Sequence, residues 1–565
     1  MYNFSINLNT PEKITSRELI HELLEIRNTI INEHQSLYVS EINDLINRVR
    51  LFGYYFATLD IRQDSRIHHA VFTTVIDSLI KTGHSAFPEN YHDLSENDQI
   101  KILSEVSEGT IDINAFEDEM VYNTLKTIEA IKEIQQMNGE KGANRYIISN
   151  NQTALNVMQL FAMLKIVAFK DNLTVDVVPL FETITDLENA PKVMEQLYTN
   201  PNYMAHLKIR GNKQTIMLGF SDGTKDGGYL MANWGIYKAK ELLTEMSRKY
   251  DITAIFFDGR GGPPARGGGK THQFYASLGP TIEDKEVQLT IQGQTISSNF
   301  GTIDSCRYNL ENLLSAGAKN QVFTKNENEL TSEEKEVLQN LSEISYQKYV
   351  AFKNHEMFVP YLERMSTLNY YAKTNIGSRP SKRNASDTLN FADLRAIPFV
   401  GSWSQLKQNV PGFFGVGTAL KNYKDNNEWQ KVSDLYHNSL FFKTLIENSM
   451  MALSKSFFPL TGYMKNDREF GEFWQLIYTE FLETKRLLLK LSGYNELMEN
   501  YPDGKASVEL REKIVLPLLT IQQYALLKIK ELKESATPDE KQIAIYEKVV
   551  TRSLFGNINA SRNSA

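Results

Sequence analysis

Cysteine is nearly absent from this chain of 565 residues, in which Cys306 is the single example. One thiol excludes an intrachain disulfide and any metal site built on several cysteines, so Cys306 is interpreted as an ordinary small residue. Long apolar runs are missing too. The most apolar long stretch, 439–460, is interrupted by Lys443, Glu447 and Lys455, so the sequence predicts no membrane span.

An excess of positive charge is also absent. Lysine and arginine total 61 against 69 aspartates and glutamates, which gives a formal net charge of −8. Because nucleic-acid binding relies on basic surfaces, this balance argues against a general nucleic-acid partner. The first residues show no basic segment followed by an apolar core, so we expect no signal peptide and a cytoplasmic location.

The spacing of apolar residues divides the chain into three parts. Residues 1–50 show helical spacing, as between Leu19 and Leu23, and are predicted to form a helical lead-in. Residues 51–304 alternate β-rich runs with amphipathic helices, which predicts a parallel sheet, open or closed into a barrel, that carries catalytic loops. Residues 305–565 read as almost entirely helical and are expected to hold the remaining active-site loops.

Several short apolar runs in the middle part predict strands buried on both faces. They are RYIIS (145–149), LKIVAF (164–169), TVDVVPLF (174–181), QTIMLGF (214–220), TAIFFD (253–258) and VQLTIQGQTI (287–296). Helix boundaries are predicted by a capping box at Thr331 and Glu334 and by Gly493 as a helix stop.

Charged residues follow these strands directly. Glu182 follows one strand, Asp222 and Lys225 follow the next, and Arg62 follows an earlier β-rich run. Functional loops of α/β proteins lie at the carboxyl ends of the strands, so one pocket could collect these side chains. Two carboxylates surrounded by cations suit Mg²⁺ or Mn²⁺ holding a phosphate, because these hard ions prefer oxygen ligands.

The stretch FFDGRGGPPARGGGKTH (256–272) combines six glycines with two arginines. Glycine lets the backbone approach a ligand, and successive N–H groups can form a concavity for an anion. Arg260 and Arg266 add planar cations that match phosphate or carboxylate. A flexible surface loop is the less favoured interpretation.

The tail GGGKTH is similar to a P-loop, but Pro264 stands where that motif requires its first glycine.

Eight segments, in order, resemble phosphoenolpyruvate carboxylase, and specifically its C-terminal part. They are LDIRQDS (59–65), VVPLFET (177–183), GFSDGTKDGG (219–228), DGRGGPPARGGGKTH (258–272), QLTIQGQTISSNFG (288–301), SRPSKR (378–383), LRAIPFVGSWSQ (394–405) and RNSA (562–565). The resemblance implies a mostly helical protein with an eight-stranded parallel (β/α) barrel and many additional helices, assembled as a homotetramer. The implied reaction turns phosphoenolpyruvate and bicarbonate into oxaloacetate and phosphate.

The resemblance also implies roles for individual residues. They are catalytic (Lys225, Arg260, Arg266, Arg62 and Arg395), substrate-binding (Arg62, Arg260, Arg395 and Arg379), metal-binding with Mg²⁺ or Mn²⁺ (Glu182 and Asp222), and effector-binding (Lys455, Arg511, Asn563 and Arg266). The implied effector is an inhibitory dicarboxylate, aspartate or malate. Because Arg266 would belong to both the effector site and the catalytic loop, it would couple the two sites.

The chain departs from the family's pattern at three points. Asp258 stands where the family has histidine, and Lys270 stands where it has proline. The T-A-H-P-T motif, whose histidine is thought to take a proton during the reaction, does not occur. Loss of such an acid–base group costs about 10²–10⁴-fold in rate. We therefore expect a C-terminal part of a longer enzyme and leave its activity alone open.

A second interpretation is a non-catalytic relative that senses a phosphorylated acid or a dicarboxylate. Retention of Glu182, Asp222 and Lys225 argues against it, because sensing alone would not need every catalytic charge. A P-loop nucleotide hydrolase is a third interpretation, and Pro264 opposes it.

Overall fold

The computed structural model describes residues 14–106, 111–291, 294–323, 329–371, 391 and 394–561. About 70% of the chain is helical, and six strands form a parallel sheet in the order β1-β2-β3-β4-β5-β6. The strands are β1 Asp60–Asp64, β2 Arg145–Ser149, β3 Asp176–Phe181, β4 Lys213–Gly219, β5 Thr253–Gly259 and β6 Val287–Leu289. An α/β fold is therefore confirmed, while closure into an eight-stranded barrel stays a prediction.

Helices surround and follow the strands. In the first half of the chain they are α1 Ser16–Glu33, α2 Val39–Phe52, α3 Ser65–Lys81, α4 Glu96–Glu105, α5 Glu119–Asn138, α6 Ala154–Leu164, α7 Ile184–Tyr198, α8 Pro201–Ile209, α9 Phe220–Gly227, α10 Tyr229–Lys249 and α11 Thr271–Ala276. They continue with α12 Gln294–Phe300, α13 Ile303–Val322, α14 Ser332–Lys353, α15 Phe358–Met365, α16 Leu368–Tyr371, α17 Ala396–Gln405, α18 Val416–Asp425, α19 Trp429–Asn438, α20 Leu440–Ser454, α21 Gly471–Ser492, α22 Pro502–Glu534 and α23 Glu540–Ser561.

Two of the strand predictions are wrong. LKIVAF lies at the end of α6 and in the π-helical turn Lys165–Phe169 that continues it. Its residues are mostly buried, and a short apolar run buried all round cannot be assigned to strand or helix from periodicity alone. VQLTIQGQTI forms only the three-residue β6, and α12 already begins at Gln294. The other four runs are strands, with ends shifted by up to two residues.

The predicted helix signals are confirmed. Thr331 and Glu334 form a reciprocal capping box at the start of α14. The helix α21 ends at Gly493, whose φ of 73° is left-handed, a conformation that glycine adopts without the steric penalty of a Cβ. The helices α1 and α2 lie in the part of the chain that is predicted to be a helical lead-in, and the division into three parts stays a prediction. None of the helices within the described ranges is both long and apolar enough to cross a membrane.

The chain forms two compact units, Met1–Leu180 with Gln196–Thr215, and Phe181–Glu195 with Ile216–Ala565. In the first unit, β1 pairs with β2 and β2 with β3, all parallel. Arg62 lies in β1 opposite Ile147 and is half-buried.

The second unit is organised around an aromatic cluster. The Phe352 ring of α14 stacks on Phe414 with a centroid distance of 4.1 Å and on Phe473 of α21 at 5.2 Å. Trp403 of α17 is fully buried in the same cluster. Packed aromatic rings of this size dominate the energetics of a core. The cluster therefore fixes α14, α17 and α21 relative to one another.

Candidate functional site

The second unit carries most of the predicted site residues on three segments. Glu182 directly follows β3, and Asp222 and Lys225 lie on α9, which directly follows β4. Arg260 and Arg266 lie on the loop after β5. The segments that follow β4 and β5 lie at the carboxyl ends of parallel strands, where ligand sites of α/β folds form.

The segments that bear Glu182 and Asp222 pack directly against each other. A Cβ atom built on Gly219 would lie 3.2 Å from both Cα and Cγ of Glu182, and one built on Gly223 would lie 3.5 Å from the Glu182 carbonyl oxygen. Glycine at 219 therefore leaves space for the Glu182 side chain, which is only 5% exposed. Asp222, next to Gly223, is half-buried. The two segments therefore lie in contact, while the convergence of the two carboxylates stays a prediction.

These carboxylates fit a hard divalent cation. No group of three or more histidine, cysteine, aspartate or glutamate residues with metal-site geometry occurs in the part of the chain that the structure describes. Two carboxylates are the protein share typical of Mg²⁺ and Mn²⁺, whose other ligands are substrate oxygens and water. The donor chemistry of Glu182 and Asp222 is therefore compatible with the predicted ion.

The helix α9 is fixed through contacts of Asp226, the Lys225 backbone and Gly228. The Asp226 carboxylate accepts a hydrogen bond from the Ile184 backbone N–H at 3.1 Å and lies 3.2 Å from the Lys353 ammonium. The Tyr349 hydroxyl donates to the Lys225 carbonyl oxygen at 3.0 Å. Gly228 has a φ of 78° and lies against the Tyr349 ring. Asp226 is thus an anchoring residue of the helix that carries Asp222 and Lys225.

Lys225 is almost buried, with 8% of its surface exposed. Its Nζ lies 4.7 Å from the centre of the Phe391 ring. An aromatic face stabilises a cation more strongly when water is excluded. The environment of Lys225 therefore holds a charged ammonium in a largely dry position, as a catalytic cation requires.

The glycine loop after β5 is folded onto itself. The N–H groups of Gly261, Gly268 and Gly269 donate to the carbonyls of Arg266, Pro263 and Gly262 at 2.6, 2.9 and 3.3 Å. These donors are used within the loop, so the expected cradle of glycine N–H groups for an anion is wrong at these three positions. A Cβ on Gly268 would lie 1.8 Å from the Gly262 carbonyl oxygen. The glycines serve close backbone packing instead.

Arg260 is a buried cation over aromatic rings. Its side chain is 4% exposed, and its guanidinium carbon lies 4.2 Å from the centre of the Phe274 ring and 4.8 Å from that of Phe220. Nε and Nη1 have no hydrogen-bond partner among the described residues. A buried donor without a partner costs about 1–3 kcal/mol, and more when it is charged. An anionic ligand would remove that penalty.

Arg266 lies beside Asp222. Its Nε donates to the Ser221 hydroxyl at 3.3 Å. Burial lowers the pKa of Arg266 to about 10, while the charge of Asp222 and the proximity of Tyr371 act in the opposite direction. At neutral pH the guanidinium therefore stays protonated. Its side chain also covers Gly261, where a Cβ would lie 2.8 Å from the Arg266 Cβ.

Asp258 and Lys270, the two residues of the segment 258–272 that depart from the family's pattern, each form an ion pair. Asp258 lies 2.7 Å from the Lys240 ammonium, with both side chains at most 1% exposed. Lys270 lies 3.0 Å from the Glu447 carboxylate, to which Asn500 also donates. Sequence reasoning missed Lys240 and Glu447. The sequence does indicate that Lys240 is unusual, because this charged residue stands four residues after Ile236 and three before Leu243, on the apolar face of α10.

One predicted effector residue, Lys455, lies next to the same loop. Lys455 is 5% exposed and lines a small cavity of about 10 Å³. The other lining residues are Pro263, Pro264, Ala265, Val400, Ser404, Asn409, Pro411 and Ala452. Burial, together with the charges of Lys407 and Arg511, lowers the pKa of Lys455 to about 7, while Glu512 acts in the opposite direction. The glycine loop is therefore a physical link between Lys455 and Arg266.

The remaining predicted residues have different positions. Arg511 lies on α22 and donates from Nη1 to the Ser561 carbonyl at 3.1 Å. Arg395 is the half-buried N-cap residue of α17. Arg379 and Asn563 lie outside the described residues. The structure adds Lys407 and Glu512, an ion pair at 2.5 Å beside Lys455 that sequence reasoning missed.

Comparison with known protein families gives the family to which the chain belongs. A family model described as phosphoenolpyruvate carboxylase matches residues 7–560. The match includes residues of both compact units and all of the predicted site residues except Asn563. Since it covers essentially the whole chain, this protein belongs to the phosphoenolpyruvate carboxylase family.

Proposed function

We propose that the site on the second unit binds phosphoenolpyruvate beside a divalent cation and carboxylates it with bicarbonate to oxaloacetate, releasing phosphate. Family membership supports this carboxy-lyase activity in general. The observation that carries the residue assignment is Arg260, a buried guanidinium whose Nε and Nη1 have no partner among the described residues. Phosphate and carboxylate oxygens match such a planar donor pair.

Each residue then has a defined task. Arg260 binds an anionic group of phosphoenolpyruvate, and Arg266, held by Ser221, faces charge that develops near Asp222. Lys225 places a fixed positive charge in a nearly dry environment, where it stabilises the transition state without solvent reorganisation. Arg62, Arg395 and Arg379 keep the substrate-binding roles that the resemblance implies.

The cation belongs to the same proposal. Glu182 and Asp222 would hold Mg²⁺ or Mn²⁺, which supplies neutralisation of charge on the phosphate and enolate oxygens. A cation between them would also offset the repulsion between two nearby carboxylates. Removal of the divalent ion is therefore expected to abolish turnover.

The direct test measures oxaloacetate formation from phosphoenolpyruvate and bicarbonate with a coupled dehydrogenase. We expect turnover that depends on added Mg²⁺ or Mn²⁺ and disappears with a chelator. Binding of phosphoenolpyruvate without turnover favours the sensor alternative, or the prediction that this chain needs the rest of a longer enzyme. Adding a separately expressed segment that contains the T-A-H-P-T motif distinguishes these two, since only the second is rescued. Absence of both binding and turnover contradicts the proposal.

A regulatory site at Lys455 forms the second part of the proposal. Lys455 and Arg511 would bind aspartate or malate, with Asn563 and Arg266 as further contacts by resemblance. The proximity of Lys455 to Pro263, Pro264 and Ala265 supports this assignment, because a dicarboxylate drawn to Lys455 would act on the loop that carries Arg266. The homotetramer and the cytoplasmic location also stay predictions.

Malate affinity is expected to fall as the pH rises. The pKa of Lys455 lies at about 7 in the unliganded chain, and a dianion binds the protonated ammonium better than the neutral amine. If the complex keeps Lys455 protonated, the dissociation constant rises roughly 30-fold between about pH 6 and about pH 8.5. Calorimetric titration with malate, whose carboxylates stay ionised throughout, measures this change.

Lys455→Met is the matched control for that titration. The variant keeps the buried stem but cannot titrate, so its malate affinity is expected to be weak and independent of pH. A wild-type affinity that stays constant over the same range would contradict the role of Lys455, and absence of malate and aspartate binding would contradict the regulatory site itself.

A further inference from the structure

Asp258 occupies the position at which the family has histidine, yet its side chain points toward a helix. Side chains alternate between the two faces of a strand, so Asp258 shares a face with Phe256. The Lys240 ammonium of α10 lies 5.2 Å from the Phe256 ring and 2.7 Å from Asp258 Oδ2. Asp258 is 0% exposed. Its carboxylate is therefore packed against α10, where it has no access to a substrate.

The same carboxylate is connected to Arg260 through Tyr275. The Tyr275 hydroxyl donates to Asp258 Oδ2. The Arg260 guanidinium carbon lies 5.7 Å from the centre of the Tyr275 ring, so the Tyr275 side chain lies between the Asp258 carboxylate and the Arg260 guanidinium. Lys240, Asp258, Tyr275 and Arg260 thus form one continuous set of neighbouring polar side chains. Its end is the guanidinium whose Nε and Nη1 have no other partner in the described part of the protein.

We propose that Tyr275, fixed by the buried Lys240–Asp258 ion pair, is a positioning residue that orients Arg260 for an anionic substrate. The inference rests on the proposed function of Arg260 and adds three residues to it. In this arrangement Asp258 is the acceptor that determines where the Tyr275 hydroxyl points. The Tyr275 ring, held in place by that hydrogen bond, lies beside the Arg260 guanidinium and restricts its orientation.

The energetics favour a specific role over general stabilisation. Placing Lys240 and Asp258 in the interior costs several kcal/mol for each ion, and an apolar pair of equal volume is often as stable or more so. Burial lowers the pKa of Lys240, an effect that Asp258 opposes, and raises that of Tyr275. Stability alone therefore does not require these charges. An acceptor at 258, by contrast, is needed to hold the Tyr275 hydroxyl.

Two double variants distinguish the effect of a hydrogen-bond acceptor at position 258 from the effect of the Lys240–Asp258 charges. Asp258→Asn with Lys240→Met removes both charges but keeps an oxygen that accepts from Tyr275. Asp258→Leu with Lys240→Met is equally neutral and similar in volume but has no acceptor. We expect the dissociation constant for phosphoenolpyruvate, measured by calorimetry with Mn²⁺, to be about 10-fold higher in the leucine pair than in the asparagine pair. Equal affinities in two folded pairs would overturn the inference.

Tyr275→Phe provides a single variant in case either pair fails to fold. It keeps the ring and the ion pair and removes only the hydroxyl. Tyr91→Phe is the control, because the Tyr91 hydroxyl is buried and has no hydrogen-bond partner among the described residues. We expect about a 10-fold loss of phosphoenolpyruvate affinity in the first variant and none in the second.

A ligand-independent readout keeps this test separate from the proposed function. The side-chain Nε–H signal of Arg260, followed by NMR relaxation, reports how rigidly the guanidinium is held. We expect increased motion in Tyr275→Phe and in the leucine pair, and unchanged motion in the asparagine pair. Unchanged motion in all variants refutes the positioning role even if phosphoenolpyruvate binds, whereas failure of the wild type to bind phosphoenolpyruvate refutes the proposed function alone.

Discussion

Replacing Lys225 by methionine is expected to lower the rate of oxaloacetate formation by about 10²–10³-fold, the cost of removing one preorganised charge from an active site. Methionine is similar to lysine in length and shape but lacks the ammonium, which lies 4.7 Å from the Phe391 ring. The bond from the Tyr349 hydroxyl to the Lys225 carbonyl involves backbone and persists. The coupled assay measures the rate, and thermal unfolding checks that the fold is retained.

Lys353→Met is the matched control for this substitution. Its ammonium lies 5.9 Å from the centre of the same Phe391 ring, but it bonds to Asp226 through the carbonyl oxygen at 2.6 Å and the carboxylate at 3.2 Å. The loss of that anchor is expected to lower stability and to leave the rate per folded molecule within a few-fold. Equal losses of rate in both variants would show that Lys225 acts through packing, and an unchanged rate in Lys225→Met would refute its catalytic role.

The local features of the fold could be predicted from sequence because short-range physics determines them. The runs at 145–149 and 253–258 are rich in β-branched or aromatic residues and became β2 and β5. The cap at Thr331 depends on a side chain three residues away. LKIVAF was misassigned because its burial on all sides comes from neighbours distant in sequence. Such an environment is set by tertiary packing, which periodicity does not report.

The candidate site also has features that could be predicted from sequence and features that could not. Glu182 and Asp222 could be placed together because parallel strands end at one edge of a sheet, and the contacts of Gly219 agree with that argument. The pairing of Asp258 with Lys240 could not be predicted, since the two residues lie on different elements and meet only when α10 packs on β5. The glycine loop also misled sequence reasoning. Glycine permits either an anion cradle or close backbone packing, and only the three-dimensional structure distinguishes them.

Gly268→Ala is expected to remove phosphoenolpyruvate binding and turnover together. The new Cβ would lie 1.8 Å from the Gly262 carbonyl oxygen and 2.3 Å from its carbon, and neither backbone atom can rotate away as a side chain would. The loop must therefore move by more than an ångström, which displaces Arg260 and Arg266. Misplacement of catalytic groups on this scale costs about 10²-fold in rate, and the strain costs roughly 1–3 kcal/mol of unfolding free energy. Calorimetric binding and the coupled assay measure the first two effects.

Gly317→Ala is the control that separates loop geometry from a general intolerance of alanine. Gly317 lies inside α13, and a Cβ there would meet no atom within 4 Å. Alanine in a helix interior is favoured over glycine by about 0.5–1 kcal/mol, so this variant is expected to be slightly more stable and fully active. If Gly268→Ala binds phosphoenolpyruvate as tightly as Gly317→Ala does, the close contact between Gly268 and Gly262 does not determine the positions of Arg260 and Arg266, and the glycine loop acts in some other way.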